Sequence, residues 1–155
     1  MNDYIEQMGT QYVNDEDLMS KPIEMTQKLM DFKKQIDHMI TYAFANNIKF
    51  EKARDTSFQN FMNKNQQTPQ YIAKYTDDTM ITGLNGLHGE EIDFKLNCIV
   101  RLFCCLNSRD TYVKAYQNHL CNRLLNKLVS NQDAEELMLS KLKMELGINA
   151  VNKMT

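Results

Sequence analysis

Residues 109–128 read Arg109-Asp-Thr-Tyr-Val-Lys-Ala-Tyr-Gln-Asn-His-Leu-Cys-Asn-Arg-Leu-Leu-Asn-Lys-Leu128. Tyr112, Tyr116, Leu120, Leu124 and Leu128 recur every four positions. That spacing stacks side chains along one helix face, whereas a strand would alternate every second residue. The same helical period holds on both sides of the stretch. Upstream, Ile92, Leu96, Ile99, Phe103 and Leu106 make a heptad-like stripe that calls for a partner helix. Downstream, Ser130 to Asp133 reads as a cap with an acidic third residue, opening a helix with Ala134, Leu137, Met138 and Leu142 that ends at Gly147.

The N-terminal half reads alike. Residues 1–13 suit a short helix, followed by an acidic loop through Asp17. From Pro22 to about Asn46, the residues Met25, Leu29, Phe32, Ile36, Ile40 and Phe44 form one stripe, with proline tolerated in the first turn. Phe50, Ala53, Ser57, Phe58 and Phe61 mark another helix. Thr68-Pro69 reads as an N-cap followed by proline, starting a helix with Ile72, Tyr75 and Met80 that stops at Gly83. Gly83, Gly86 and Gly89 cluster at the best candidate for a boundary. The fold class expected is all-α.

Composition agrees. The 155 residues include only two prolines and five glycines, which favours long helices over strands and turns. A net charge of −2 offers no basic surface for nucleic acid. Charge is uneven, with residues 1–17 purely acidic and 109–127 basic, and reads as solvated faces. The most apolar run, Cys98 to Leu106, is interrupted by Arg101, so neither a signal core nor a membrane span is expected. Cys98, Cys104, Cys105 and Cys121 lie within helical patterns and read as buried thiols of a reducing compartment, cytoplasmic or nuclear.

Chemistry is hard to find. The three glycines follow a helix rather than a strand and lack a Walker lysine, so they read as a linker, not a phosphate cradle. Adjacent Cys104 and Cys105 diverge on a helix, His119 and Cys121 point apart, and His38 and His88 stand alone, which is a poor ligand set for zinc. No Glu-x-x-His pair offers a di-iron site. Asp77-Asp78 and Glu90-Glu91 read as helix surface and helix entry. Most methionines, such as Met25 and Met138, fall at stripe positions where core packing accounts for them. No catalytic residue, cofactor or metal is expected.

Several segments look familiar. Tyr116-Gln-Asn-His-Leu-Cys-Asn-Arg-Leu-Leu125, then Asp133-Ala-Glu-Glu-Leu-Met-Leu-Ser-Lys-Leu-Lys143 and Glu145-Leu-Gly147, are similar to the cullin signature of Arg-Leu-Leu, Asp-Ala-Glu and Ser-Lys-Leu-Lys with a Cys-Gly ending. Arg109 to Tyr116 resembles the family's Lys-Asp-Val-Phe-x-Lys-x-Tyr. Thr68-Pro-Gln-Tyr-Ile-Ala-Lys-Tyr-Thr-Asp77 resembles Ser-Pro-Glu-Leu-Leu-Ala-Lys-Tyr-Cys-Asp, and Phe58-Gln-Asn-Phe-Met-Asn63 resembles Phe-x-x-Phe-Ile-Asn. The likeness runs in order from about Lys21 to Thr155. Asn122 departs from the family's usual lysine and Leu146 from its cysteine.

The resemblance implies a fold and a role. Residues 1–83 would be the later part of the third cullin repeat, 84–89 a linker, and 90–155 the start of the helical bundle that follows, in an elongated arrangement. The role implied is a non-catalytic, rigid spacer in a ubiquitin ligase, in ubiquitin-dependent protein catabolism. A substrate adaptor and a RING-box protein, which recruits the conjugating enzyme, would bind through family regions with no counterpart here. Nucleic acid and membrane are not expected partners. Tyr116, Leu120, Leu124 and Leu125 are expected to face the bundle core. Asp133 and Glu135 should stand at the next helix start, with Arg123 and Lys141 as further structural or interface residues. Two other readings remain open: a cullin-like subunit of the anaphase-promoting complex, and a free-standing adaptor that takes a peptide helix in a Met- and Phe-lined groove.

Overall fold

The computed structural model describes residues 1–147. Among them are eight α-helices and no strand: α1 (Asn2–Val13), α2 (Glu16–Met19), α3 (Pro22–Ala43), α4 (Ile48–Met62), α5 (Thr68–Asp78), α6 (Gly89–Cys104), α7 (Arg109–Leu125) and α8 (Gln132–Leu146). A π-helical turn, Thr79–Gly83, widens the end of α5. The chain is all-α, as its periodicity predicts. The last eight positions of the expected bundle segment lie outside the described residues.

The stripes become the core. Met25, Leu29, Phe32, Ile36 and Ile40 of α3 are buried, as are Leu96, Ile99 and Phe103 of α6, and Ala134, Met138 and Leu142 of α8. Helix α1 packs on α4, α3 on α5, α5 on α7 and α6 on α8. Apolar contact is unbroken from α1 to α8, so one core serves helices on both sides of the glycine segment. In the first half the Phe32 ring meets Tyr12 edge-on at 5.5 Å and lies 5.6 Å from Phe58. Gly9 sits directly against the Phe61 ring, where a Cβ has no room.

Four local expectations change. The acidic stretch before Asp17 is not all loop, because Asp15 accepts from the amides of Asp17 and Leu18 at 2.9 and 3.3 Å and starts α2. Phe44 leaves the core stripe at the end of α3 and stacks on Phe50 at 3.9 Å, where Ala45 and Asn46 take left-handed backbone to turn the chain. Thr68 is the first residue of α5 rather than its cap, and its buried hydroxyl has no hydrogen-bond partner among the described residues. The Asn65 carboxamide instead organises that entry, accepting from Gln67 N and donating to Val13 O, both at 2.9 Å. The cysteines are not uniformly buried: Cys105 is, Cys98 and Cys104 are half-buried, and Cys121 is exposed.

Between α5 and α6 the glycine segment is a pair of turns. Leu87 N bonds Leu84 O at 3.2 Å, Leu84 is buried, and Gly86 adopts φ +76°, a left-handed conformation suited to glycine. His88 N donates to Glu91 Oε2 at 2.9 Å and starts α6, with Glu90 and Glu91 in its first turn.

Candidate functional site

Helix α7 carries a buried charge. With about 100° of rotation per residue, a stripe at constant steps of four drifts about 40° around the helix at each step. Tyr112, Tyr116 and Leu120 remain on the inward side, but Leu124 has drifted about 120° from Tyr112 while Arg123 lies only about 20° from it. Tyr112, Tyr116, Leu120 and Arg123 are accordingly the buried residues of α7. Leu124 and Leu125, expected in the core, are 59% and 81% exposed. Leu128 lies beyond the helix end and is also exposed.

Arg123 is 1% exposed, and a guanidinium at that depth must be matched. Its Nε and Nη2 donate to the two carboxylate oxygens of Glu135 at 2.7 and 2.9 Å, a forked pair. Nη1 donates to Asp77 Oδ1 at 2.7 Å. The guanidinium carbon stands 5.7 Å from the Tyr116 ring centre. Burial pulls the Arg123 pKa down, but the bonds to Glu135 and Asp77 outweigh it and the pKa is raised. The second oxygen of Asp77 lies 3.5 Å from His119 Nδ1 and 3.6 Å from Lys74 Nζ. Burial holds the His119 pKa below its ordinary value, with Asp77 opposing. Asp77 is thus an interior residue, not the helix surface its Asp-Asp neighbourhood suggests.

Around this node the aromatic hydroxyls are submerged. Tyr112 shares a 3.1 Å hydrogen bond with Thr76, whose hydroxyl also donates to Ile72 O at 2.8 Å. Burial raises the pKa of both Tyr112 and Tyr116, so both phenols stay neutral.

Helix α8 is held at further points. Asn131 caps it rather than the expected Ser130, accepting from Ala134 N at 3.1 Å, with Asp133 exposed in the first turn. Ser130 donates to Met80 O at 2.8 Å, fixing the α7–α8 loop to the π-turn. Lys141 reaches α6, donating to Asp93 Oδ1 and Asn97 Oδ1, both at 2.7 Å. Of the residues singled out from sequence, the structure therefore brings Tyr116, Arg123 and Glu135 together in one buried node and places Lys141 in a second clamp. Leu120 lines the core, and Leu124 and Leu125 face outward. The members that sequence reasoning missed are Asp77 and His119. The available signal was Arg123 itself: a cation at the inward angle of α7 demands an anion from a neighbouring helix.

The arrangement fastens α5, α7 and α8 to one another, and α8 to α6. Among the described residues no group of three or more His, Cys, Asp or Glu side chains is placed to hold a metal ion, and no helix is long and apolar enough to cross a membrane.

Comparison with known proteins bears directly on this architecture. The family model described as the cullin alpha solenoid domain matches residues 1–155. The chain is 34% identical to Cullin-3B of Arabidopsis thaliana, over 97% of this chain and 21% of that protein. It is 31% identical to Cullin-3 of Caenorhabditis elegans and 34% identical to Cullin-4A of Homo sapiens, each over 99% of this chain and 20% of the relative. The chain spans about a fifth of the length of these curated relatives.

Proposed function

The chain belongs to the cullin family, and from that premise we propose that it is a non-catalytic scaffold segment of a cullin-type ubiquitin ligase. It serves as a stiff spacer between the end of the assembly that holds a substrate adaptor and the end that holds a RING-box protein with its conjugating enzyme. Its setting is ubiquitin-dependent protein catabolism in the cytoplasm or nucleus.

One observation carries this reading: Arg123 bridges Asp77, which precedes the glycine turns, to Glu135 on the last described helix. A spacer must transmit position without bending, and packed interiors resist deformation. A charge node in the low-dielectric interior adds orientation, since the forked Arg–Glu geometry tolerates little slippage.

The test is a graft. Replacing the matching fifth of Caenorhabditis elegans Cullin-3 with residues 1–155 should give a hybrid that holds adaptor and RING-box protein and transfers ubiquitin to adaptor-bound substrate. Arg123→Ala in the hybrid should leave both partners bound and lower transfer. A hybrid that holds both partners yet transfers no ubiquitin contradicts the reading.

A further inference from the structure

An open groove of about 610 Å³ runs between α3 and α6. Tyr75 and Leu102, both buried, and Met30 and Cys98, both half-buried, line it. Phe94 stands at its edge with 62% of its surface exposed. A large aromatic left at the lip of an apolar-lined groove is the kind of anchor that interfaces use.

The groove has direction. At one end Gln27 Oε1 accepts from the Tyr75 hydroxyl at 2.8 Å, and Asp31 of α3 shares the lining with Glu90 and Glu91 in the first turn of α6. Further along, Lys34 of α3 and Arg101 of α6 line the same groove. All five of these charged side chains are exposed. Lys34 and Arg101 make no ion pair among the described residues. Several charges of the lining are engaged: Asp31 accepts from Gln27 Nε2 at 3.0 Å, Glu91 from His88 N at 2.9 Å, Asp37 binds Lys33 and Arg54 at 3.3 and 2.8 Å, and Lys95 donates to Gly83 O at 3.1 Å. Along α6 the charge changes sign over about 15 Å, from Glu90 and Glu91 to Arg101, while on α3 Asp31 and Lys34 stand one turn apart in the same order. From Gln27 to Asp37 it follows about 15 Å of α3, close to three helical turns.

We propose that this groove docks the apolar face of an amphipathic α-helix from a protein partner, lying along the groove between α3 and α6. Two neighbouring helices leave a trough into which the side-chain ridge of a third can fit. Opposite charges at the two ends set its polarity. The N-terminus of a helix carries positive partial charge and suits the end at Asp31, Glu90 and Glu91; the C-terminus suits the end at Lys34 and Arg101. Basic side chains near the partner's N-terminus and acidic ones near its C-terminus complete the match. The groove lies apart from the Arg123 node, so this inference stands or falls independently of the scaffold reading.

The test uses two synthetic helical peptides of about 14 residues. Both carry Leu and Phe at positions i, i+4, i+7 and i+11. One has lysines in its first turn and glutamates in its last; the other has the reverse. The reversed peptide is the better helix in isolation, because its charges suit its own dipole, so preference for the first must come from the groove. Binding is read from carbon-13-labelled methionine methyls in the 155-residue chain. The first peptide should shift Met30 with micromolar affinity and leave the core residues Met25 and Met138 unmoved. The reversed peptide and the Phe94→Ala variant should each weaken binding at least about tenfold. Exchanging the cations, in Lys34→Glu with Arg101→Glu, should remove the preference for charge order. Equal affinity for both peptides, a silent Met30, full affinity in Phe94→Ala, or no binding up to millimolar peptide overturns the proposal.

Discussion

Arg123 and Asp77, 46 positions apart in sequence, meet at 2.7 Å in the interior, with the guanidinium 1% exposed. The contact joins α7 to α5 across the glycine turns, and the same guanidinium forks onto Glu135 of α8. Three helices thus share one buried cation.

Removing that cation leaves two buried carboxylates without their partner. Arg123→Ala should cost about 3–5 kcal/mol in urea unfolding. Replacing Arg123, Asp77 and Glu135 together with apolar residues of similar volume should recover most of the loss, because no charge is then left buried. The comparison of single and triple variants checks whether the node acts as a unit.

Leu124 and Leu125 point the other way. Each side chain is largely in water, so Leu124→Ala and Leu125→Ala should each change stability by less than about 0.5 kcal/mol. A buried leucine in the same helix would cost about 2–5 kcal/mol. Paired unfolding curves for Leu124→Ala and Leu120→Ala separate the two situations.

Acid should loosen the node through His119. Burial lowers its pKa in the folded chain below the ordinary 6.5, against the pull of Asp77. The unfolded chain therefore binds the proton first, and stability falls as pH drops through about 6.5, until the folded form titrates as well. His119→Gln should remove part of the decrease in urea midpoint between about pH 7 and pH 5.5. An unchanged decrease in that variant contradicts the assignment.

Thiol reactivity should be graded. Cys121 is exposed, whereas burial pushes the Cys105 thiol up to about 11, and burial with a 3.3 Å contact to Glu145 pushes Cys104 up to about 12. An aromatic disulfide reagent should label Cys121 first in the folded chain, with Cys105 among the slowest. Cys121→Ser should abolish the fast phase.

The helices were legible because their stripes repeat at steps of three and four, as from Met25 to Ile40 and from Ile92 to Phe103. Such mixed steps hold one angular position, so counting predicts burial. The α7 stripe used steps of four alone, and there counting failed: drift carried Leu124 outward and put Arg123 beneath Tyr112 and Leu120. Asp77 was illegible for a different reason. Its burial depends on α7 lying against α5, a long-range pairing that no local pattern announces. Lys141 was marked by family likeness, but its partners Asp93 and Asn97 come from another helix and were visible only in three dimensions. The π-turn at Thr79–Gly83 has no local signal beyond the terminal glycine.

The central claim is that helices on either side of the glycine turns form one packed body, fastened through Arg123. Amide hydrogen exchange across a urea series tests it most directly, comparing α3 amides from Leu29 to Ile36 with α7 amides from Tyr112 to Leu120. One body predicts that both sets lose protection at the same urea concentration. If α7 opens at lower urea while α3 remains protected, the halves fold separately and the claim is wrong.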